Sequence, residues 1–346
     1  MKSWLFSYNN PQMIDLVLDF CKNKTNVSDF HLRAGNNFAY RESGKIKIVK
    51  DKLITSDDLE SLLLNNCSKE QQEEFKKNLE LDCAIILESI RLRANFYKNS
   101  NSTSVVLRKV ETTPPTMQEL NLPPVLYNLI DAKKGLVLLT GPTGSGKTTT
   151  LASIINEINV NRACNIITIE DPIEFIHKDN QSIISQREVG RDTKSFSAAL
   201  KAALREDPDV ILVGELRDLE TISLALTAAE TGHLVFGTLH TSGAPNTINR
   251  IIDVFNPSQQ AQVRAQVSDS LLMVVTQNLL LQKDKDSRIA AFEVLVSTPP
   301  VRNLIRENKI HQLPSVIQTS QKDGMITMEK SLEMLVAKGL LENGKE

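Results

Sequence analysis

The chain has 346 residues, which is enough for two domains with a substantial hydrophobic core. Its 40 Lys and Arg residues nearly balance 42 Asp and Glu residues, so the formal net charge is −2. This balance argues against a protein that coats nucleic acid, and the 5% aromatic content argues against base-stacking platforms. The four cysteines show no CxxC spacing, so we expect reduced thiols and neither a zinc site nor a disulfide framework.

Residues 1–112 have a mixed helix and strand pattern and are expected to form a first domain. Strand-like patterns occur near residues 83–97 and 104–108. Two residue pairs have the capping-box spacing that opens a helix: Thr55 with Asp58, and Ser68 with Gln71.

A proline-rich stretch follows, VETTPPTMQELNLPPV at residues 110–125. Paired prolines disfavour both helix and central strand, so residues 113–124 are predicted to be an interdomain linker. The second domain is then expected to span residues 125–346.

The second domain alternates short apolar runs with helical segments, which is typical of an α/β fold. The predicted strands are GLVLLT (135–140), NIITI (165–169), DVILVG (209–214) and HLVFGTL (233–239). The predicted helices are Thr148–Asn159, Ser195–Glu206, Leu219–Glu230 and one from about Thr247. Nearly continuous apolar strands imply a parallel sheet covered on both faces, and such sheets bind ligands beyond the carboxyl ends of their strands.

The first of these strands is followed by GPTGSGKT, which matches the phosphate-loop pattern G-x-x-x-x-G-K-[ST]. Glycines let backbone N–H groups curl around phosphate oxygens, and the N-terminus of the next helix adds positive potential. The predicted nucleotide-binding residues are Gly141, Pro142, Thr143, Gly144, Ser145, Gly146, Lys147, Thr148 and Thr149. Lys147 is expected to reach the β and γ phosphates of ATP, and Thr148 to ligate Mg²⁺.

Three carboxylates follow the second strand, at Glu170, Asp171 and Glu174. A solvated turn would explain them equally well. If the strand is central, however, Glu170 lies where it can orient or deprotonate the water that attacks the γ-phosphate.

The third strand ends in Gly214-Glu215, where an Asp that helps to hold Mg²⁺ is usual. Glu215 is predicted to act through the water shell of the metal or to support the base. His240 follows the fourth strand and is interpreted as a sensor of the γ-phosphate, whereas His233 is either a polar cap or a second functional position. A shared zinc ion is disfavoured, because an extended strand would separate the two histidines by more than about 20 Å.

The apolar run Leu271–Leu281 is broken by Thr276, Gln277 and Asn278. It is shorter than the roughly 20 residues that cross a membrane. No direct membrane insertion is therefore expected.

Four motifs together resemble those of the type II/type IV secretion ATPase superfamily: GPTGSGKT, ITIEDPIEF, DPDVILVGELRD and TGHLVFGTLHT. The similarity also includes SDFHLRAG and IRLRANFY in the first domain. The C-terminal segment VRNLIRENKIHQLPSVIQTSQKDGMITMEKSL is similar to the pilus-retraction, PilT-type branch, whose members power twitching motility.

The resemblance implies a RecA-like P-loop ATPase domain, residues 125–346 with a C-terminal helical segment, preceded by a smaller α+β, PAS-like domain at residues 1–112. It also implies a homohexamer with ATP between subunits, in the cytoplasm at the inner-membrane base of a pilus machine. The implied partners are the platform protein of that machine and a paralogous retraction ATPase.

The resemblance further suggests that arginines of the first domain act on a neighbouring subunit as arginine fingers. The candidates are Arg91, Arg93 and Arg108. Without the resemblance, these side chains would be interpreted as solvated charge on strands.

One departure lies in the retraction motif, where Pro300 and Val301 replace Ala-Ile of the family. Val301, Leu304 and Ile305 keep the spacing of an amphipathic helix, which is expected to pack its apolar face on the domain, and Pro300 suits a first turn. Three other functions remain open: an accessory subunit with little turnover, a secretion or conjugation ATPase, and a DNA motor. The charge argues against the last, so no nucleic-acid partner is expected.

Overall fold

The computed structural model of the protein describes residues 11–24, 27–88, 90–99, 102–110, 113–283 and 287–342. The chain divides into two compact units, residues 1–112 and residues 113–346. Residues 111 and 112, where the proline-rich stretch begins, lie outside the described residues.

The first unit contains a six-stranded antiparallel sheet in the order β3-β2-β1-β6-β5-β4. Its strands are β1 (Val27–Arg33), β2 (Asn37–Glu42), β3 (Lys45–Leu53), β4 (Glu80–Leu87), β5 (Ile90–Asn99) and β6 (Ser102–Lys109). Its helices are α1 (Pro11–Asn23), α2 (Ser56–Asn66) and α3 (Lys69–Asn78). Helices and sheet enclose a core in which Phe30, Phe38 and Phe96 are fully buried.

Both predicted capping boxes form and begin the helices that the spacing indicated. The Thr55 hydroxyl oxygen accepts a hydrogen bond from the Asp58 amide, and the Asp58 carboxylate accepts one from the Thr55 amide, which opens α2. Ser68 and Gln71 make the same reciprocal pair at the start of α3. Each box satisfies two N–H groups that the first helical turn leaves without partners.

The second unit is built on a seven-stranded sheet in the order β13-β12-β7-β11-β10-β8-β9. Its strands are β7 (Gly135–Thr140), β8 (Asn165–Glu170), β9 (Ile183–Glu188), β10 (Val210–Val213), β11 (Leu234–Leu239), β12 (Leu271–Leu281) and β13 (Arg288–Val296). All neighbouring pairs are parallel except β12 and β13, which are antiparallel. The α/β fold class expected from the sequence is confirmed.

Helices cover both faces of this sheet. They are α4 (Lys147–Asn161), α5 (Phe196–Ala203), α6 (Leu219–Thr231), α7 (Ala244–Asp253), α8 (Gln260–Ser270), α9 (Pro299–Arg306), α10 (Leu313–Thr319) and α11 (Met328–Ala337). Along β7, Leu136 and Leu138 enter one hydrophobic cluster, whereas Val137 and Leu139 enter another. Side chains alternate along a strand, so the two clusters lie on opposite faces and β7 is buried on both.

The segment 113–124 packs differently from an exposed linker. Met117 is 1% exposed and Leu122 is 6% exposed, and both belong to a core cluster of the second unit. Thr116 and Glu119 make reciprocal hydrogen bonds that shape the turn between them. Prolines exclude regular helix and strand here, but they do not prevent apolar side chains from packing.

The run Leu271–Leu281 is the strand β12, at the side of β7. Within the described residues, no helix has the length and apolar character needed to cross a bilayer.

Candidate active site

Four parallel strands end at one edge of the sheet and border a cavity of about 470 Å³. The phosphate loop, which follows β7, lines the cavity. Other lining residues are Glu170, the last residue of β8, then Glu215 and Arg217, which follow β10, and His240, which follows β11. Residues separated by a hundred positions in sequence therefore meet, because parallel strands carry their carboxyl ends to the same edge.

The phosphate loop depends on glycine at two positions in particular. Gly141 has φ 135° and Gly146 has φ 87°, backbone conformations that other residues rarely adopt. A Cβ on Gly141 would lie 2.3 Å from the Gln277 carbonyl oxygen, and one on Gly146 would lie 2.8 Å from Gln277 Nε2. The glycines thus serve both the turn itself and the close approach of β12.

Lys147 is folded back over the loop. Its Nζ donates hydrogen bonds to the carbonyl oxygens of Gly141, at 2.8 Å, and of Pro142, at 2.9 Å. The side chain is buried, and burial lowers the pKa of the Lys147 ammonium, while the Glu215 carboxylate acts in the opposite direction. A cation held in this way lies beside the cavity with few water contacts, so its attraction for phosphate is little screened.

Glu170 is buried at the end of β8. Its Oε1 accepts hydrogen bonds from Thr168 Oγ1 at 2.6 Å and from Gln186 Nε2 at 3.2 Å. Burial raises the pKa of this carboxyl, although both hydrogen bonds act against that rise. A carboxylate with a raised pKa is a stronger base, which suits proton abstraction from water.

Glu215 has the opposite electrostatic setting. Arg217 lies 2.7 Å from its Oε2 and His240 Nε2 lies 3.4 Å from the same oxygen. The hydrogen bond from Arg217 lowers the pKa of Glu215, burial opposes that shift, and the charge of His240 adds to it. The pKa values of Glu170 and Glu215 are therefore shifted in opposite directions, which favours the neutral form of Glu170 and the charged form of Glu215.

The packing around Gly214 gives a physical reason for the glycine that ends this strand. Its amide donates to the Ile169 carbonyl at 2.7 Å. A Cβ at this position would lie 3.1 Å from the Ile169 oxygen and 3.3 Å from the Glu170 Cα. An Asp here would press directly on the backbone that carries Glu170.

The arginines Arg91, Arg93 and Arg108 belong to the first unit. Arg91 and Arg93 are on β5, as predicted, and Arg93 forms an ion pair with Asp82 across to β4. Arg108 is on β6 and its Nε lies 2.8 Å from Asp29 Oδ1.

His233 lies at the opposite end of β11 from His240 and caps a helix. Its amide and its Nδ1 both contact the carbonyl oxygen of Ala228, at 3.1 Å and 2.9 Å. These contacts occupy a carbonyl in the last turn of α6, which favours the capping interpretation. Among the described residues, no group of three or more His, Cys, Asp or Glu side chains could hold a metal ion.

Two glutamines of the site were not identified from the sequence. Gln186 on β9 joins Glu170 to the loop after β8, donating to the Phe175 carbonyl and accepting from the His177 amide. Gln277 on β12 bonds to the phosphate loop. The only sequence signal for Gln277 was its interruption of an apolar run.

Comparison with known proteins indicates the family of this chain. The family model of the type II/IV secretion system protein matches residues 77–342, which is more than half of the chain.

Individual relatives match over most of their length. A twitching motility protein of Neisseria gonorrhoeae is 47% identical over 302 residues, covering 87% of this chain and 81% of that protein. The type IV pilus retraction ATPase PilT of Pseudomonas aeruginosa is 45% identical over 326 residues, covering 93% and 94%. A crystal structure of the pilus retraction motor PilT with bound ADP has a TM-score of 0.89 and 44% identity, covering 96% and 94%. The chain therefore belongs to the type II/IV secretion system protein family.

Proposed function

We propose that this protein is an ATP-hydrolysing motor that powers type IV pilus retraction. The observation that carries the proposal is the single cavity in which the phosphate loop, Lys147, Glu170 and Glu215 meet. The similarity to PilT over nearly the whole chain supports pilus retraction as the process that consumes the ATP.

Phosphoryl transfer requires positioning and charge stabilisation more than covalent chemistry. The loop amides and Lys147 hold the phosphates, with the N-terminus of α4 adding positive potential. Glu170 in its carboxylate form accepts a proton from the attacking water, and its raised pKa favours that transfer.

The residues present also suit Mg²⁺. Thr148 at the start of α4 would supply a hydroxyl ligand, and Glu215, kept ionised by Arg217 and His240, would bind a metal-bound water. Such sites need few protein ligands, because phosphate and water supply the others. When bound, the ion neutralises charge on the β and γ phosphates.

His240 and Arg217 are suited to sensing the γ-phosphate, since both are cationic or can become so, are partly exposed and contact Glu215. An arriving phosphate would compete for them and alter their hold on Glu215. We assign this sensing to His240, as the sequence suggested.

The assembly that we propose is a homohexamer at the cytoplasmic face of the inner membrane, in contact with the pilus platform protein. In it, some of Arg91, Arg93 and Arg108 act on the ATP of a neighbouring subunit. A finger of this kind contributes on the order of 10³-fold or more in rate.

The arginine proposal is tested by mixing subunits. Mixing Arg108→Ala subunits with Lys147→Ala subunits, each of which should be nearly inactive alone, should restore part of the activity, because a Lys147→Ala subunit can supply Arg108 to the intact phosphate loop of an Arg108→Ala neighbour. Arg41→Ala is a matched control, since Arg41 approaches the same Asp29, at 3.9 Å. A mixture that stays as inactive as the two variants alone would contradict trans action.

The hydrolysis proposal is tested by phosphate release from the purified protein. Lys147→Ala should lose nucleotide binding and turnover, and Glu170→Gln should keep binding but lose turnover. Lys201→Ala, at an exposed position of α5, should behave as wild type. Absent turnover in the wild type would indicate an accessory subunit, and stimulation by DNA would indicate a DNA motor.

The proposed role in pilus retraction is tested by deleting the gene. Excess surface pili without twitching would support retraction, whereas bald cells would indicate assembly. Unchanged pili with a secretion or conjugation defect would place the protein in another machine of the superfamily.

A further inference from the structure

The side chain of Gln277 connects two parts of the phosphate loop. It is 2% exposed. Its Nε2 donates to the Ser145 carbonyl at 2.7 Å and its Oε1 accepts from Thr150 Oγ1 at 2.8 Å. The backbone carbonyl oxygen of Ser145 can only accept a hydrogen bond, so the nitrogen of the Gln277 side-chain amide must face it.

Further contacts from β12 reach the beginning of the loop. The Thr276 and Thr140 hydroxyls lie 2.9 Å apart. The Gln277 carbonyl is so close to Gly141 that no Cβ would fit between them. Thr276 thus contacts the last residue of β7, directly before the loop. Gln277 contacts the loop at Gly141 and Ser145, and the first turn of α4 at Thr150.

We propose that Gln277 is a positioning residue for nucleotide binding, which holds the phosphate loop in its binding conformation. This inference rests on the nucleotide site proposed above. A loop rich in glycine loses much conformational entropy when its amides converge on phosphate, and a clamp that orders it beforehand reduces that loss on binding. Both ends of the buried amide are satisfied, so removing it takes a hydrogen bond from the Ser145 carbonyl and another from the Thr150 hydroxyl.

The proposal can be distinguished from an ordinary contribution to the core. A core residue would affect the melting temperature of the nucleotide-free protein and leave the affinity of the folded protein unchanged. A positioning residue weakens nucleotide binding in protein that is folded.

The experiment measures the Kd of Mg²⁺-ADP by calorimetry on full-length folded protein. Gln277→Met keeps the side-chain volume and removes both hydrogen bonds, and we expect the Kd to rise about tenfold, equivalent to about 1.4 kcal/mol. The KM for ATP should rise with it while kcat changes less than about threefold. Gln262→Met, at an exposed site on α8, is the matched control and should leave the Kd unchanged.

A second pair of variants tests the same bond from the other side. Thr150→Val removes the hydroxyl that reaches Gln277, and Thr150→Ser keeps it. We expect weaker ADP binding in the first and near wild-type binding in the second, which also keeps the test informative if Gln277→Met does not fold.

Two outcomes would overturn the inference: folded Gln277→Met with a Kd within twofold of wild type, or Thr150→Val and Thr150→Ser with equal affinity. Lys147→Ala separates this failure from that of the proposed function. If Lys147→Ala also binds ADP normally, the proposed nucleotide site is wrong. If Lys147→Ala does not bind ADP, the nucleotide site stands and only the proposed role of Gln277 is wrong.

Discussion

At the scale of single residues, Gly214 illustrates how neighbouring backbone selects a side chain. The position usually carries a metal-assisting Asp, yet a Cβ here would lie 3.3 Å from the Glu170 Cα, so the neighbouring backbone would have to shift to accept one. In the site that we propose, Glu215, one residue further along, would bind the water shell of the metal, and the hydrogen bond from Arg217 lowers its pKa. We interpret the Gly-Glu ending as a redistribution of tasks between adjacent residues.

A substitution at Gly214 tests this packing. Gly214→Ala places a Cβ 3.1 Å from the Ile169 carbonyl, so the strands must separate slightly. We expect a loss of about 1–3 kcal/mol in the free energy of unfolding. Calorimetry should show a melting temperature lower by about 2–4 °C per kcal/mol. Turnover should fall as well, because the displaced backbone carries Glu170; an unchanged melting temperature and turnover would contradict the packing argument.

The pH dependence of turnover tests the setting of Glu170. Only its carboxylate form can accept a proton, so activity should fall as pH drops through its pKa, which burial raises. Gln186→Met removes a hydrogen bond that stabilises the charged form, and the pKa should rise further. The acid limb of the kcat/KM profile should therefore move to higher pH.

The control for that profile is Gln181→Met, which changes an exposed glutamine just before β9. Its acid limb should coincide with that of the wild type. If the Gln186→Met limb coincides too, Gln186 does not act on Glu170.

At the scale of elements, α9 combines two properties that its sequence suggested. It begins at Pro299, so Pro300 is in the first turn, where a missing N–H costs no hydrogen bond. Val301 and Ile305 are fully buried in the core of the second unit, and Leu304 packs against it. The substitution of Ala-Ile by Pro-Val therefore preserves an amphipathic helix that packs on the domain.

Opposite faces of α9 should respond differently to mutation. Ile305→Ala leaves a cavity in the core and should cost about 2–5 kcal/mol of unfolding free energy. Asn303→Ala, on the exposed face, should change it by less than about 0.5 kcal/mol. Thermal unfolding checks both, and a wild-type melting temperature for Ile305→Ala would refute the packing. Lost twitching in Asn303→Ala with normal turnover would show that the exposed face contacts a partner.

At the scale of the whole molecule, the sequence predicted what is encoded locally. The run 135–140 coincides with β7, because six apolar or small residues lie between polar turns. The order of the strands was not predictable in that way. β9 has only one buried residue and gives a weak strand signal. β12 pairs with β7 across more than a hundred residues. The contacts of Gln186 and Gln277 depend on these pairings, which is why the phosphate loop could be identified from the sequence and its support could not.

Nucleotide binding should stabilise the whole second unit. A ligand present at 100 times its Kd adds about 2.7 kcal/mol to the folded state, so saturating Mg²⁺-ADP should raise the melting temperature by roughly 5–10 °C. The increase should be absent in Lys147→Ala and intact in Lys201→Ala. Equal increases in all three proteins would place the ADP elsewhere.

The position of β12 in the sheet also has a consequence for synthesis of the chain. Gln277 follows Ser145 by 132 positions. A ribosome adds about 5–20 residues per second, so it reaches Gln277 on the order of ten seconds after it has completed the phosphate loop. During that interval the nascent loop lacks the strand that orders it, and long-range pairing of this kind is slow to form even afterwards. From the clamp that we propose, we expect tight nucleotide binding to develop late in synthesis, after β12 has paired with β7.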